Sequence, residues 1–528
     1  MVANPVESPK QNSRSFAQTW GENLLAFFSR YPAIILAIPS AYLLVTFPPL
    51  WKDVDAICQL TLKAGVLNIL HFPPLYCFLG RIPFILAAIL SGQPVHGIFA
   101  EQTPTLLGIY LLVIGQHVAL VASLTYAVIA IAGTNRVSRV ACAILFASMS
   151  GLYAEAHSCG SESIGAAATL AVFGAGIATI RKPKLFAWIV YGAALFVAIG
   201  SRHLNLLLAA WLPATFVLLE LIERFRKPKK ISRFYSIGIA IAIGLLAIGA
   251  NSVLARVLIA SVGDQYRSTL GETLSDRIDS FLRRLPADER LKLAETLSSN
   301  EKDPLVRQAI QYQATIGSYY SGTDAALAHA IANTGVPWRL VPAKTDKAIL
   351  AATLRYLGSC HPVLLKAIRD DFFRGFLATN RAIALAPFDS HLSGAIDRAK
   401  RPDAWADLAG YRYVNLQDAN AIVKHARRDR YIGLWAHLPM AGWMMLEICV
   451  SLVVAYFARA AFPLVVVTWT VIATGIIMFL GNTVCVYYMD RYALILLVSS
   501  AIGAAAVLAG MAEIGVDTPV CAITRPAR

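Results

Sequence analysis

The sequence predicts an all-α polytopic membrane protein. It should have about ten transmembrane helices, juxtamembrane helices on the outer side, and one mainly helical domain on the outer face. Three observations carry that prediction. The 528 residues are 57% hydrophobic and 15% charged, with a mean hydropathy of +0.57. Several apolar runs reach about 20 residues, the length at which a helix crosses the hydrocarbon core. The basic residues behind the net charge of +15 collect in short loops beside those runs, the pattern that keeps such loops cytoplasmic. The charge is therefore read as membrane orientation, and no nucleic-acid partner is expected.

Residues 1–28 form a polar leader with Lys10 and Arg14, closing on a mildly amphipathic stretch at 20–28. No small-residue cleavage site follows the first apolar run, 31–50, so it reads as a retained span. The basic flank ending at Arg30 puts the N-terminus in the cytoplasm. The first outer loop, 51–103, then carries Asp53, Asp55, His71 and Tyr76. Its stretch 72–90 is apolar enough to cross, but Pro73, Pro74, Arg81 and Pro83 interrupt it. If it crossed, Arg136 and Arg139 would fall outside and every later basic loop would be inverted. The expectation is therefore a helix lying along the outer surface.

The next spans follow in order. Span 105–132 ends at Arg136 and Arg139 inside, and 140–153 runs out to the short loop 154–162. Span 163–180 returns to Arg181, Lys182 and Lys184, and 185–200 reaches Arg202 and His203 outside. Span 204–222 returns to the basic loop 224–233, and 235–260 goes out again. Residues 1–261 are thus an N-terminal membrane module, 262–430 a large soluble insert, and 431–528 the C-terminal membrane helices.

The insert holds 24 Lys and Arg against 19 Asp and Glu, an ordinary globular mixture with a helical pattern. Asp346 reads as the N-cap of a helix over 347–357 that Gly358 stops. Pro362 suits the first turn of a helix over 363–385. No alternating strand pattern of any length is present. Spans 434–457, 463–480 and 493–511 complete the ten, with the loop 481–492 outside. Outside the insert, this topology leaves 17 basic residues in the cytoplasm and six at the outer face: Lys52, Lys63, Arg81, Arg202, Arg256 and Arg491. The expected location is the cell (inner) membrane, with both termini cytoplasmic and the insert outside, on the periplasmic side. The eight cysteines show no metal-ligand spacing. Cys142 and Cys449 lie within spans. Cys58, Cys77, Cys159, Cys360 and Cys485 share the outer side, with no deducible pairing.

In this topology Asp53, Asp55, His71, Glu155, His157, Glu162, Arg202, His203, Asp490 and Arg491 all lie near outer ends of spans. Charged groups at that depth need partners or a water-filled cavity. One shared outer cavity accounts for them together, although each alone reads equally well as loop polarity. Asp53, Asp55 and His71 at a membrane surface are ingredients of proton transfer on a lipid-borne substrate. A metal held by His157 with Glu155 or Glu162 is chemically feasible. The spacing matches no dedicated motif, so no ligands are assigned, and the sequence does not require a divalent metal. Gln116, His117 and Glu447 lie in mid-span and read as interhelical hydrogen-bonding groups.

An Asp soon after the first span, followed by His71-Phe72-Pro73-Pro74-Leu75-Tyr76, resembles the first outer loop of the GT-C glycosyltransferases. That superfamily includes the bacterial relatives of the aminoarabinose and protein O-mannosyl transferases. Asp490-Arg491-Tyr492 is similar to the acidic-Arg-Tyr opening of a late span in several of them. Ser201-Arg202-His203-Leu204-Asn205 stands where they often carry a basic outer-face motif. The acidic loop with Glu155 and Glu162 follows the third span in both. The chain departs from the pattern at Asp53-Val54-Asp55, where many members have an Asp-Glu pair. It also has Glu162 or Glu155 where the second acidic residue is often Asp, and the insert has no counterpart.

The resemblance implies a sugar donor on a polyprenyl phosphate and inverting transfer to a lipid, glycan or protein acceptor at the outer face. It also implies an outer-loop Asp, Asp55 or Asp53, as general base. Substrate would be held by His71, Tyr76, Glu155, His157, Glu162, Arg202, His203, Asp490, Arg491 and Tyr492, with membrane lipids as surroundings. Elementary chemistry agrees with these roles. An Asp in a wet cavity is ionised at neutral pH, and Arg202 or Arg491 can pair bidentately with phosphate. The rival reading is a transporter or flippase, which places polar residues along a mid-membrane path and often shows an internal repeat. A non-catalytic assembly protein whose insert binds a partner fits the same sequence.

Overall fold

Apolar runs and their terminal signals become helices almost everywhere in the computed structural model. It describes residues 16–51, 60, 74–98, 100, 103–226, 233–261, 270–316, 323–337, 340–400, 414–458, 461–485 and 490–517. Helices α1 (Phe16–Arg30) and α2 (Pro32–Thr46) meet at a 76° bend. Pro32 begins α2 and holds Tyr31 out of the helical region at φ −124°, ψ 60°, the expected effect on a residue before proline. α1 exposes Trp20, Leu24 and Phe27, the stripe of a helix lying in a membrane interface. Strand β1 (Leu50–Trp51) follows, then α3 (Pro74–Leu79) and α4 (Ile82–Leu90).

Helix α5 (Leu106–Ala132) starts where the Thr105 hydroxyl accepts the Gly108 N–H at 3.1 Å. It ends on Gly133 at φ +57°, a conformation that favours glycine. Asn135 caps α6 (Arg136–Ala147) through the Ser138 N–H at 3.0 Å. α7 (Ser150–Ala156) continues it after a 61° bend. Strand β2 (Ser158–Cys159), α8 (Ser161–Arg181), α9 (Leu185–Ser201), a 3-10 turn His203–Leu207, α10 (Leu208–Arg226) and α11 (Phe234–Ser261) follow. The insert supplies α12 (Leu270–Leu282), α13 (Ala287–Ser299), α14 (Pro304–Thr315), α15 (Thr323–Ala332), α16 (Val341–Gly358), α17 (Pro362–Phe376), α18 (Asn380–Lys400) and α19 (Leu416–Arg428). The chain closes with α20 (Met440–Phe457), α21 (Phe462–Cys485), a 3-10 turn Asp490–Ala493 and α22 (Leu494–Asp517).

This is a multi-pass helical membrane protein. Among the described residues, seven helices are long and apolar enough to cross a bilayer as single rods: α5, α8, α10 with its leading turn, α11, α20, α21 and α22. The bent pairs α1–α2 and α6–α7 each pass the same test together. α9, with 17 residues, is about 26 Å long and lies at the short end of the spanning range. Those ten elements match the ten runs read from the sequence. A third bent pair, α16–α17 at 92°, belongs to the insert. α8 and α22 are the most enclosed spans and are rich in Ala and Gly. A β-carbon on Gly174 of α8 would sit 3.0 Å from Ala127 Cα of α5, so small residues permit this close helix contact.

The described part of the ambiguous stretch, residues 74–90, stays at one end of the bundle. Leu75 rests on Gly200, at the end of α9. Cys77 and Phe78 pack with Leu258 and Ile259, near the end of α11. Phe84 lies over Gly108, at the start of α5. The two strands meet at this same end. They are parallel, in register Leu50 with Ser158 and Trp51 with Cys159. They are the strands that no alternating pattern announced, because two residues leave no period to read.

The insert divides between two cores. α12–α17 bury Ile278, Phe281, Ile310, Ile349, Tyr356 and Leu364 together. α18 and α19 instead place Ile383, Phe388, Ile422 and Val423 in the core of the bundle. Two local expectations need correction. Asp346 is not an N-cap, because α16 begins at Val341 with Pro342 in its first turn, leaving Asp346 inside the helix. The helix expected over 363–385 is two helices, α17 and α18. The turn between them is fastened to the start of α20, where Met440 N–H donates to Ala378 O at 2.9 Å.

Candidate functional site

Two polar clusters lie at the end of the bundle where the strands pair. The first is built around the loop that follows α7. Gln116, in the third turn of α5, donates to Ala156 O at 3.0 Å and Ser158 O at 2.8 Å, and accepts from the Tyr76 hydroxyl at 3.3 Å. His117, next on α5, has Nε2 at 3.2 Å from His157 Nδ1 and Nδ1 at 3.1 Å from Ser40 Oγ. His157 Nε2 faces Phe47 O at 3.2 Å and Pro48 O at 3.1 Å.

These partners decide the tautomers. Carbonyls only accept, so His157 Nε2 carries a hydrogen. Neutral His157 then accepts at Nδ1, His117 donates from Nε2, and His117 Nδ1 accepts the Ser40 hydroxyl. Burial pushes the His157 imidazole down to about 4, although the Pro48 and Phe47 carbonyls pull it up. Burial, and after it the neighbouring Cys159 and Glu162, holds the Tyr76 phenol well above its ordinary value. Both side chains therefore stay neutral at neutral pH.

The strand pair is fixed from the insert side as well. His391 Nδ1 of α18 lies 2.9 Å from Trp51 N and 3.0 Å from Trp51 O. Asn380 of α18 accepts the Gly151 N–H at 3.1 Å and donates to Ser150 Oγ at 3.2 Å. The backbone N–H at the start of α7, which has no partner within its helix, is thus capped by a residue 229 positions away. Further out, Arg277 of α12 is buried and donates to Asp371 Oδ2 at 2.7 Å and to Thr483 O at the end of α21. The insert is clamped to the bundle by that guanidinium.

The second cluster lines a small cavity. Glu162 stands in the first turn of α8, Arg202 follows α9, Asn205 sits in the 3-10 turn, Asn482 is on α21, and Tyr492 precedes α22. Arg202 NH1 is 3.6 Å from Glu162 Oε1, and its guanidinium lies 5.8 Å from the Tyr492 ring centre. The arginine stem crosses Gly165, where a β-carbon would be 3.1 Å away. Asn205 donates to Ala198 O at 2.9 Å, closing the end of α9. The enclosed space is about 40 Å³, room for about one water. The first turn of α8 also presents the positive end of its dipole here.

The sequence-derived residues fall into three groups. Glu162, Arg202 and Tyr492 converge on the cavity. Tyr76 and His157 belong to the first cluster, Glu155 is buried in the last turn of α7, and His203 is exposed at the start of the 3-10 turn. Asp53, Asp55 and His71 lie outside the described residues. Asp490 and Arg491 open the 3-10 turn before α22, and their side chains lie outside the described residues. Both ring nitrogens of His157 are used by the protein, so it is not available to the metal site that its spacing with Glu155 and Glu162 allowed. Among the described residues no three His, Cys, Asp or Glu side chains gather as a metal site. Cys142, Cys360, Cys449 and Cys485 are free thiols.

Gln116, His117 and Glu447 make the interhelical bonds their mid-span positions suggested. Ser40, Asn380, His391 and Asn482 carried no sequence signal, since each gains its meaning from a partner distant in the chain. Comparison of the chain with protein-family models and with curated proteins finds no match.

Proposed function

We propose that this protein is a glycosyltransferase of the GT-C type. It moves a sugar from a polyprenyl-phosphate donor to a lipid, glycan or protein acceptor at the outer face of the cell membrane. The observation that carries this reading is the convergence of Glu162, Arg202 and Tyr492, from separate spans, on one small cavity at the end of the bundle. Asp53 and Asp55 follow Trp51 in the chain, and Trp51 is held at this end of the bundle by β2 and His391.

In this reading Arg202 receives the donor phosphate. Its 3.6 Å pairing with Glu162 is longer than a hydrogen bond, so the guanidinium fork keeps donors for phosphate oxygens. Arg491 is a second phosphate partner. Asp55 is the general base on the acceptor hydroxyl, with Asp53 as the alternative. The polar end faces outward, and both termini lie in the cytoplasm.

The test is single-turnover transfer from a polyprenyl-phosphate sugar in liposomes. Asp55→Asn should lower the rate by about 10²–10⁴ while leaving donor binding intact, and Asp53→Asn should lower it less. Full activity in the double Asn variant would overturn the assignment. One observation favours the rival transporter reading: Glu447 is buried deep within the spans, where coupling residues of transporters are found.

A further inference from the structure

The last three spans, α20, α21 and α22, contain no Lys, Arg or His. Glu447 lies seven residues into α20, about 10 Å along its axis from Met440. Its side chain is buried where α20 packs on α22. Oε1 accepts a hydrogen bond from the Ser500 hydroxyl of α22. Oε2 rests against Gly503 of the same helix, where a β-carbon would collide with it. Oε2 has no hydrogen-bond partner among the described residues. The adjacent Ser499 hydroxyl, set against Gly475 of α21, also has none.

Neighbouring polar groups on α20 and α21 are engaged. Thr468 bonds to Leu464 O at 3.0 Å, and Trp469 donates to Ser451 Oγ at 2.8 Å. The elements packed most closely on α20 are α21 and α22. Among the described side chains, their titratable groups are Glu513, paired with Arg181 at 3.6 Å, and Cys485 at the far end of α21. Neither supplies a positive charge to Glu447.

We infer that Glu447 is a proton-binding site in the membrane interior, carrying its proton at neutral pH, and that α20 seats against α22 around the neutral acid. Two alternatives compete at this position. An ionised carboxylate would lie out of water with one hydroxyl donor and, among the described residues, no cation. A neutral acid leaves only one weakly placed donor. The first costs far more than the second. The fit over Gly503 leaves no room for a hydrated ion, so loss of the proton requires water to enter and α20 to part from α22. A carboxyl whose charge state is tied to helix seating is the element that proton-coupled membrane proteins use. This inference does not rest on the glycosyl-transfer reading.

The test is infrared difference spectroscopy of the full chain in liposomes at about pH 7, where an exposed glutamate is ionised. The parent should show a protonated-carboxyl carbonyl stretch that Glu447→Gln lacks. A difference spectrum without that band overturns the proposal. If Glu447→Gln fails to fold, the parent alone is treated with an apolar carbodiimide, which modifies protonated acids, and mapped by mass spectrometry. An adduct on Glu447 supports the site. Adducts elsewhere with Glu447 unmodified overturn it.

Discussion

The two polar clusters at the end of the bundle use similar residues to opposite ends. Around His157 every ring nitrogen has a protein partner, and Gln116 has both donors and its acceptor engaged. Around Arg202 the ion pair with Glu162 is long and the guanidinium lies beside an aromatic face. The first arrangement holds the chain on either side of residues 52–73. The second leaves guanidinium donors that, in the proposed function, a donor phosphate would use. A polar residue near the end of a span is therefore not diagnostic of function by itself. What distinguishes the two cases is whether its hydrogen-bonding capacity is already consumed.

Three substitutions sharpen that contrast. The largest effect belongs to His157. Its folded-state value of about 4 lies below its ordinary 6.5, so the native state binds fewer protons than the unfolded chain between those values. Stability from the neutral imidazole is fully present above about pH 6.5 and is lost as pH falls toward 4. At about 1.4 kcal/mol per unit this is about 3 kcal/mol. In His157→Gln that part of the pH dependence should vanish from melting curves recorded in detergent. An unchanged slope would remove His157 from the sealed cluster.

Gln116→Leu comes next. It leaves Ala156 O and Ser158 O without their donor and Tyr76 without its acceptor, at a cost of about 2 kcal/mol. The melting temperature should drop by several degrees while donor affinity is preserved. A loss of affinity with normal stability would place Gln116 in the binding site instead.

Arg202→Ala should show the reverse pattern. A partly exposed, 3.6 Å ion pair contributes less than about 1 kcal/mol, so stability should barely change. Affinity for a polyprenyl-phosphate sugar should fall about tenfold or more, and Arg202→Lys should recover only part of it, because an ammonium lacks the planar fork. An Arg202→Ala variant that melts early but binds donor normally would make the second cluster structural too.

Much of the architecture was legible in the chain. The ten apolar runs all correspond to observed elements, because bilayer thickness imposes a length that a sequence must display. For the stretch 72–90 the charge pattern of distant loops, not its own hydropathy, gave the expectation of a helix along the outer surface, and its described part, 74–90, packs at one end of the bundle. The errors came where local signals met tertiary contacts. Asp346 looked like a cap, but the helix started earlier at Val341. The run over 363–385 read as one helix, but the turn at Ala378 is tied to Met440.

The candidate site was legible only as a set. Glu162, Arg202 and Tyr492 were picked out with seven other substrate-binding candidates, and nothing local separated them from His157. The residues that hold the site in place, Asn380 and His391, carried no signal at all.

The sequence by itself determined a helical membrane protein, its spans, and the end of the bundle where polar residues gather. These follow from hydropathy and charge, which act on each segment separately. Only the tertiary structure decided which polar groups are sealed and which are open. That depends on hydrogen bonds joining Gly151 to Asn380 across 229 positions and Trp51 to His391 across 340. A hydrogen bond reaches about 3 Å, so partners so far apart in the chain are defined only when packing brings their helices together.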